Sequence, residues 1–271
     1  MSTVSARKKT RSSRNGSTNG VGARNGRSKP GKGRRRVTAE SMAAKQRDIS
    51  VSEFFAKNRH LLGFVNPRKA LLTTVKEAVD NSLDACEEAR ILPDIRIELH
   101  RTKSDELQMT TQDNGPGIPR DAIENVFGKF LLGSRFHAIR QTRGQQGIGI
   151  TGVVMYSQLT TGSKTHVVSK IKSDSSAVYV DLGIDTKKNK AIKSGEKRDV
   201  WVDEMTGEEV SHGLRIRTLM KAKYQRGKQS VYQYLRMTSI VNPHASISLV
   251  VRDKDGEVIE EGQWMRTTDK L

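Results

Sequence analysis

A single cysteine, Cys86, stands in a chain of 271 residues. That count excludes an internal disulfide framework and fits a reducing compartment. No apolar run approaches the ~18 residues a membrane-spanning helix needs, so the expectation is a soluble, intracellular protein with no membrane partner. No internal repeat appears, and no G-x-x-x-x-G-K-[ST] stretch exists, which excludes a P-loop. Acidic residues are missing altogether from residues 1–36, where twelve Lys and Arg sit among Ser, Gly and Asn. Those twelve carry most of the net charge of +18 and leave +6 to the rest of the chain.

So basic a segment, with almost nothing to bury, cannot offset the entropy of ordering. Residues 1–45 are therefore expected to be a disordered basic tail. Val4, Ala6, Val21 and Ala23 do not make the amphipathic face of a transit peptide. The composition suits a solubilising tail or a non-specific electrostatic arm for nucleic acid, and on the second reading DNA is the expected partner.

Residues 46–271 hold ample material for a core. Their organising stretch is Ala70–Ala89, ALLTTVKEAVDNSLDACEEA. At helical spacing Leu72, Val75, Val79, Leu83 and Cys86 fall on one side, and Glu77, Asn81, Asp84 and Glu88 on the other. A carboxylate and a carboxamide one turn apart can serve a metal ion and a water molecule together, although the same stripe also describes a solvated helix face. Asn66-Pro67 reads as N-cap and first helical residue of this helix. Ser50 to Glu53 is a capping box that opens a shorter helix through about Leu62, anchored by Phe54, Phe55 and Leu61.

Ile95, Ile97 and Leu99 alternate with polar residues as a strand, and Leu107, Met109 and Thr111 form its partner. The partner runs into Asp113-Asn114-Gly115-Pro116-Gly117. DNGPG is ordinary turn chemistry, yet an Asp at a strand end beside two glycines can also offer a carboxylate to a flat, amine-bearing ligand. Pro119 starts a short helix through about Phe127, and a long glycine-punctuated segment follows, ending at Gln146. Gly147-Ile148-Gly149-Ile150-Thr151-Gly152 then opens an apolar helix, whose free N–H groups suit phosphate. A Rossmann unit would need a strand before these glycines, and RQTRGQQ is none. Strands are expected around Val167–Ile171, Val178–Leu182, Val200–Val202 and Leu214–Thr218, with a Lys-rich surface loop from Asp185 to Asp199. A helix over Gly227–Val241 and a hairpin over Ile247–Val258 complete the body.

Taken in order, EAVDNSLDA, DNGPG and GQQGIGITG resemble the Bergerat (GHKL) ATP-binding family of gyrase-type topoisomerases, heat-shock chaperone ATPases, MutL and histidine kinases. RGQQGIGI, YSQLTTG and YLRMTSIVNPHA narrow the likeness, which covers about residues 50–271, to the B subunits of type IIB topoisomerases. The resemblance implies an α/β (α+β) sandwich with a mixed, mostly antiparallel sheet and helices on one face. It implies ATP and Mg²⁺ as cofactors, with Glu77 as general base and Asn81 as Mg²⁺ ligand. Asp113 would accept a hydrogen bond from the adenine amine, and Gly117 would let the base approach. Ser134 and Arg135 match the lid, which ATP would order over residues 128–146. Gly144, Gln145, Gln146, Gly147, Ile148, Gly149, Ile150 and Thr151 match the loop that wraps the β- and γ-phosphates.

Two departures stand out: Arg135 replaces a common lysine, and Gly213-Leu214 replaces the usual Gly-Thr. The family's helical insert and transducer domains are expected to be absent before Leu271. Further implications are homodimerisation on ATP binding, the topoisomerase VI partner of the B chain in an A2B2 heterotetramer, and a DNA-associated place in the cytoplasm or nucleoid. Other readings are a MutL-like or kinase-like ATPase, or a non-catalytic DNA-binding partner that uses nucleotide as a switch.

Overall fold

The computed structural model describes residues 51–60, 62–128, 149–185 and 190–271. Asn66 begins the element on which the body is assembled. With extended backbone (φ −146°, ψ 164°), its side chain accepts from the N–H groups of Arg68 and Lys69, and Pro67 takes the first helical position. Helix α2 then runs Pro67–Glu88, preceded by the short α1 (Val51–Asn58). In α2 the residues buried are Ala70, Leu71, Thr74, Val75, Ala78, Val79, Ser82, Leu83, Asp84 and Cys86. Leu72 is only partly buried, and Asp84, assigned by spacing to the polar stripe, is inside. The buried arc is wider than one stripe because α2 meets the sheet below and two further helices at its sides. Each Leu or Val so buried contributes roughly 1.5–3 kcal/mol.

Eight strands follow the order β5-β4-β3-β6-β2-β1-β7-β8. They are β1 (Asp94–Arg101), β2 (Glu106–Asp113), β3 (Thr165–Lys170), β4 (Ala177–Asp185), β5 (Lys190–Asp199), β6 (Gly213–Lys221), β7 (Ser246–Arg252) and β8 (Val258–Trp264). Every pairing is antiparallel except β1 with β7. Ile95, Ile97 and Leu99 of β1 and Leu107 and Met109 of β2 alternate into one core with α2. That core also takes α3 (Arg120–Gly128), α4 (Gly149–Thr161) and α5 (Val231–Val241). The arrangement is the expected mixed sheet with helices on one face.

Four boundaries differ from expectation. The first helix stops at Asn58, because Gly63 (φ 82°) turns the chain and Phe64 N–H bonds Arg59 C=O at 2.9 Å. Within the expected Lys-rich loop, residues 190–199 form the edge strand β5. An edge strand is paired on one side only. The face of β5 that meets α3 does so through Ala191 and Lys193, which bonds Glu124 at 2.7 Å, so no run of alternating apolar residues marks it, and its lysines guard the edge. Residues 200–202 are not a strand: Val200 and Val202 are exposed, and the buried residue between them is Trp201, packed with Val168 and Ala177. The last helix starts at Val231 rather than Gly227, capped by Ser230, whose hydroxyl accepts from Gln233 N–H at 3.2 Å. The basic tail, Ser50 and Leu61 lie outside the described residues.

Candidate functional site

The cap at Asn66 fixes the register of α2 and so aims Glu77, Asn81 and Ser82. Glu77 is half-buried and lies against the first turn of α4. A Cβ built on Gly149 would stand 1.8 Å from Glu77 Oε2 and 2.3 Å from its Cδ. Only a residue without a side chain lets the start of α4 come this close to the carboxylate. Burial raises the Glu77 carboxyl above its ordinary range, the neighbouring Asp80 charge adds to this, and Lys76 opposes it. Asn81, also half-buried, follows one turn later.

Ser82 links this helix to the sheet. Its hydroxyl donates to Asp113 Oδ2 at 2.6 Å, while Gly115 N–H donates to Oδ1 at 2.9 Å. Asp113 sits at the end of β2, paired with Ile95 on one side and Leu214 on the other. It is 7% exposed. Burial lifts its carboxyl above the usual range even though Ser82, the backbone N–H groups of Gly115 and Leu214, and the nearby His212 all favour the ionised form. At Leu214 the sequence suggests a lost polar contact, but its backbone still serves Asp113 and Ser82 supplies a hydroxyl.

The loop after Asp113 is pinned at three points. Asn114 Oδ1 accepts from Asp94 N–H at 2.8 Å, and its amide donates to Leu92 C=O at 3.0 Å. Ser169 on β3 accepts from Ile118 N–H at 2.7 Å and donates to Ile118 C=O at 2.9 Å. His212 Nδ1 lies 2.8 Å from the Gly115 carbonyl oxygen. Gly117 is required where it stands: its φ is +73°, and an added Cβ would be 2.2 Å from Lys170 C=O. Cys86 is buried beside this loop, and its thiol is pushed up to about 12, so it packs rather than reacts.

Of the residues expected in a site, Glu77 and Asn81 share α2 and Gly149, Ile150 and Thr151 form the first turn of α4, with Thr151 buried. Asp113 and Gly117 lie at the sheet end joined to α2 through Ser82. Ser134, Arg135, Gly144, Gln145, Gln146, Gly147 and Ile148 lie outside the described residues. Ser82, Ser169 and His212 escape sequence reading. Ser82 is a polar residue on a buried helix face, and Ser169 and His212 are brought in by the sheet from far along the chain. Only the adjacency of Ser82 to Asn81 offers a local signal.

Among the described residues no group of three or more His, Cys, Asp or Glu could hold a metal ion. One amide oxygen, from Asn81, fits a different kind of site. Mg²⁺ keeps several waters and completes its octahedron with substrate phosphate oxygens, so a single protein donor is enough for such a site. Among the same residues no helix is long and apolar enough to cross a membrane.

Residues 66–188 match the family described as histidine kinase-, DNA gyrase B-, and HSP90-like ATPase. Over 234 residues the chain is 50% identical to the B chain of type 2 DNA topoisomerase 6 from Methanosarcina acetivorans, covering 86% of this chain and 36% of that protein. The protein of the same name from Archaeoglobus fulgidus is 50% identical over 231 residues, covering 85% and 36%. That from Halobacterium salinarum is 45% identical over 238 residues, covering 86% and 29%. The chain thus spans about a third of the length of the curated relatives it matches.

Proposed function

We propose that the chain supplies the ATP-binding and hydrolysing module of a type II (IIB) DNA topoisomerase, a reading supported by the match of residues 66–188 to the histidine kinase-, DNA gyrase B- and HSP90-like ATPase family. One observation carries the reading: a half-buried carboxylate of raised basicity, Glu77, is set against the glycine that opens a helix, one turn from a carboxamide. In this reading Glu77 takes the proton of the attacking water, and burial is what makes it a better base at neutral pH. Asp113, held by Ser82 and Gly115, accepts from the adenine amino group. Gly117 keeps the loop open to the flat base. Asn81 would hold Mg²⁺, which when bound neutralises phosphate charge. The N–H groups of Gly149, Ile150 and Thr151 face the phosphates from the positive end of α4.

The 50% identity to the B chains of topoisomerase 6 supports DNA as the substrate and the A chain of that enzyme as the partner. In that assembly ATP-driven dimerisation gates passage of one duplex through another. The test is Glu77→Gln in the 271-residue chain. A general base typically contributes ~10²–10⁴ in rate, so hydrolysis should collapse by that factor while ATP binding is retained. Hydrolysis at the parent rate would remove Glu77 from the mechanism.

A further inference from the structure

Outside the matched ATPase segment lies Tyr234, on α5, a residue to which the proposed chemistry gives no role. Its hydroxyl donates to Asp80 Oδ1 at 2.9 Å, across 154 residues of sequence. Asp80 sits between the two residues of the hydrolytic pair, three after Glu77 and one before Asn81. On a helix that spacing places Asp80 beside Glu77 on adjoining turns. The Tyr234 ring is partly buried against the core, so the hydroxyl is held and not swinging in solvent. Burial suppresses its acidity, and the Asp80 and Glu77 carboxylates both add to that effect. Glu77 is therefore within electrostatic reach of the same hydroxyl.

We infer that Tyr234 is a positioning residue for hydrolysis: by donating to Asp80 it fixes that carboxylate beside Glu77 and sets the line along which Glu77 meets the attacking water. The inference rests on the reading of Glu77 as the base. Two carboxylates three residues apart repel, and the cheaper relief is rotation of one side chain out of the site. A hydrogen bond from a neutral phenol removes that freedom from Asp80 and adds no compensating positive charge. Glu77 extends toward Gly149, where the missing side chain leaves space. Among the described residues the charged groups facing Glu77 are Asp80 and Lys76 on its own helix, and α5 contributes the neutral Tyr234.

Tyr234→Phe removes one oxygen and keeps the ring, so the fold should survive. Steady-state ATP hydrolysis should show kcat lower by about ten- to a hundredfold, the usual loss when a supporting hydrogen bond is cut. KM for ATP should stay within about twofold, because neither Tyr234 nor Asp80 is among the groups proposed to hold the nucleotide. The companion measurement is a double-mutant cycle with Asp80→Ala. If Tyr234 acts through Asp80, the double variant is no slower than the slower single variant. Glu77→Gln, run in parallel, separates the two ideas. Collapse there with an unchanged kcat in Tyr234→Phe overturns the positioning role alone, and so does a fall shared equally between kcat and the melting temperature. Unchanged hydrolysis in Glu77→Gln overturns the base and this inference with it.

Discussion

Gly149→Ala tests the contact on which the proposed chemistry turns. A Cβ at that position would lie 1.8 Å from Glu77 Oε2, whereas ordinary contact begins at 3.4 Å. The carboxylate must therefore retreat by about 1.6 Å. What the methyl meets is the far end of a flexible side chain and not backbone, so the retreat is cheap for the fold. Replacing glycine by alanine in a helix gains up to about 1 kcal/mol in propensity, and the melting temperature should hold or rise slightly. Chemistry is less forgiving: misplacing a reacting group by about 1 Å costs on the order of 10²-fold. The expected result is kcat lower by about a hundredfold or more, with ATP binding, measured by titration calorimetry, largely kept. Melting curves on the same preparation show whether the fold is intact. A well-folded variant with the parent kcat would mean that the Glu77 carboxylate does no work where it stands, and the base would have to be sought elsewhere.

Much of the candidate site is legible in the sequence because Glu77, Asn81, Asp113 and Gly117 stand in local motifs. Asn66-Pro67 gives the cap and therefore the helix register, and three motifs in fixed order, two of them glycine-bearing, give the fold. Strand alternation places β1, β2 and β7 correctly, since each is buried on one face and wet on the other. Legibility fails where a local pattern has no unique cause. β5 carries no apolar alternation because the face that meets a helix does so through Ala191 and Lys193, and a small residue and a salt-bridged lysine read like surface. The valines flanking Trp201 invite the wrong phase, since period-two patterning cannot tell which of two interleaved sets faces inward when both are apolar. Asp84 falls on the wrong side because a helix buried on three sides has no single polar face. Ser82, Ser169, His212 and Tyr234 are invisible for a further reason. Their partners are 31, 51, 97 and 154 residues away, and only tertiary structure closes those distances.

Two further outcomes are expected. Removing residues 1–36 takes away twelve positive charges and no negative ones. DNA binding should weaken and the slope of log K against log salt should flatten, and an unchanged slope would rule the tail out as a DNA-binding arm. Asp113→Asn should abolish discrimination between ATP and GTP in competition binding, because an amide can offer a donor where the carboxylate only accepts. The same variant tests the burial of that carboxylate. Asp113 holds its proton more tightly in the folded chain than in the unfolded one. Its contribution to stability is thus fully present below the unfolded value near about 4, and is lost as pH rises through the higher folded value. Urea unfolding of the parent should show this decline on going from about pH 4 upward, and Asp113→Asn, which cannot ionise, should lack that component. Parallel curves would mean that Asp113 titrates alike folded and unfolded. The donors from Ser82, Gly115 and Leu214 would then fully offset the cost of burial, and the carboxylate would be charged at no expense before any adenine arrives.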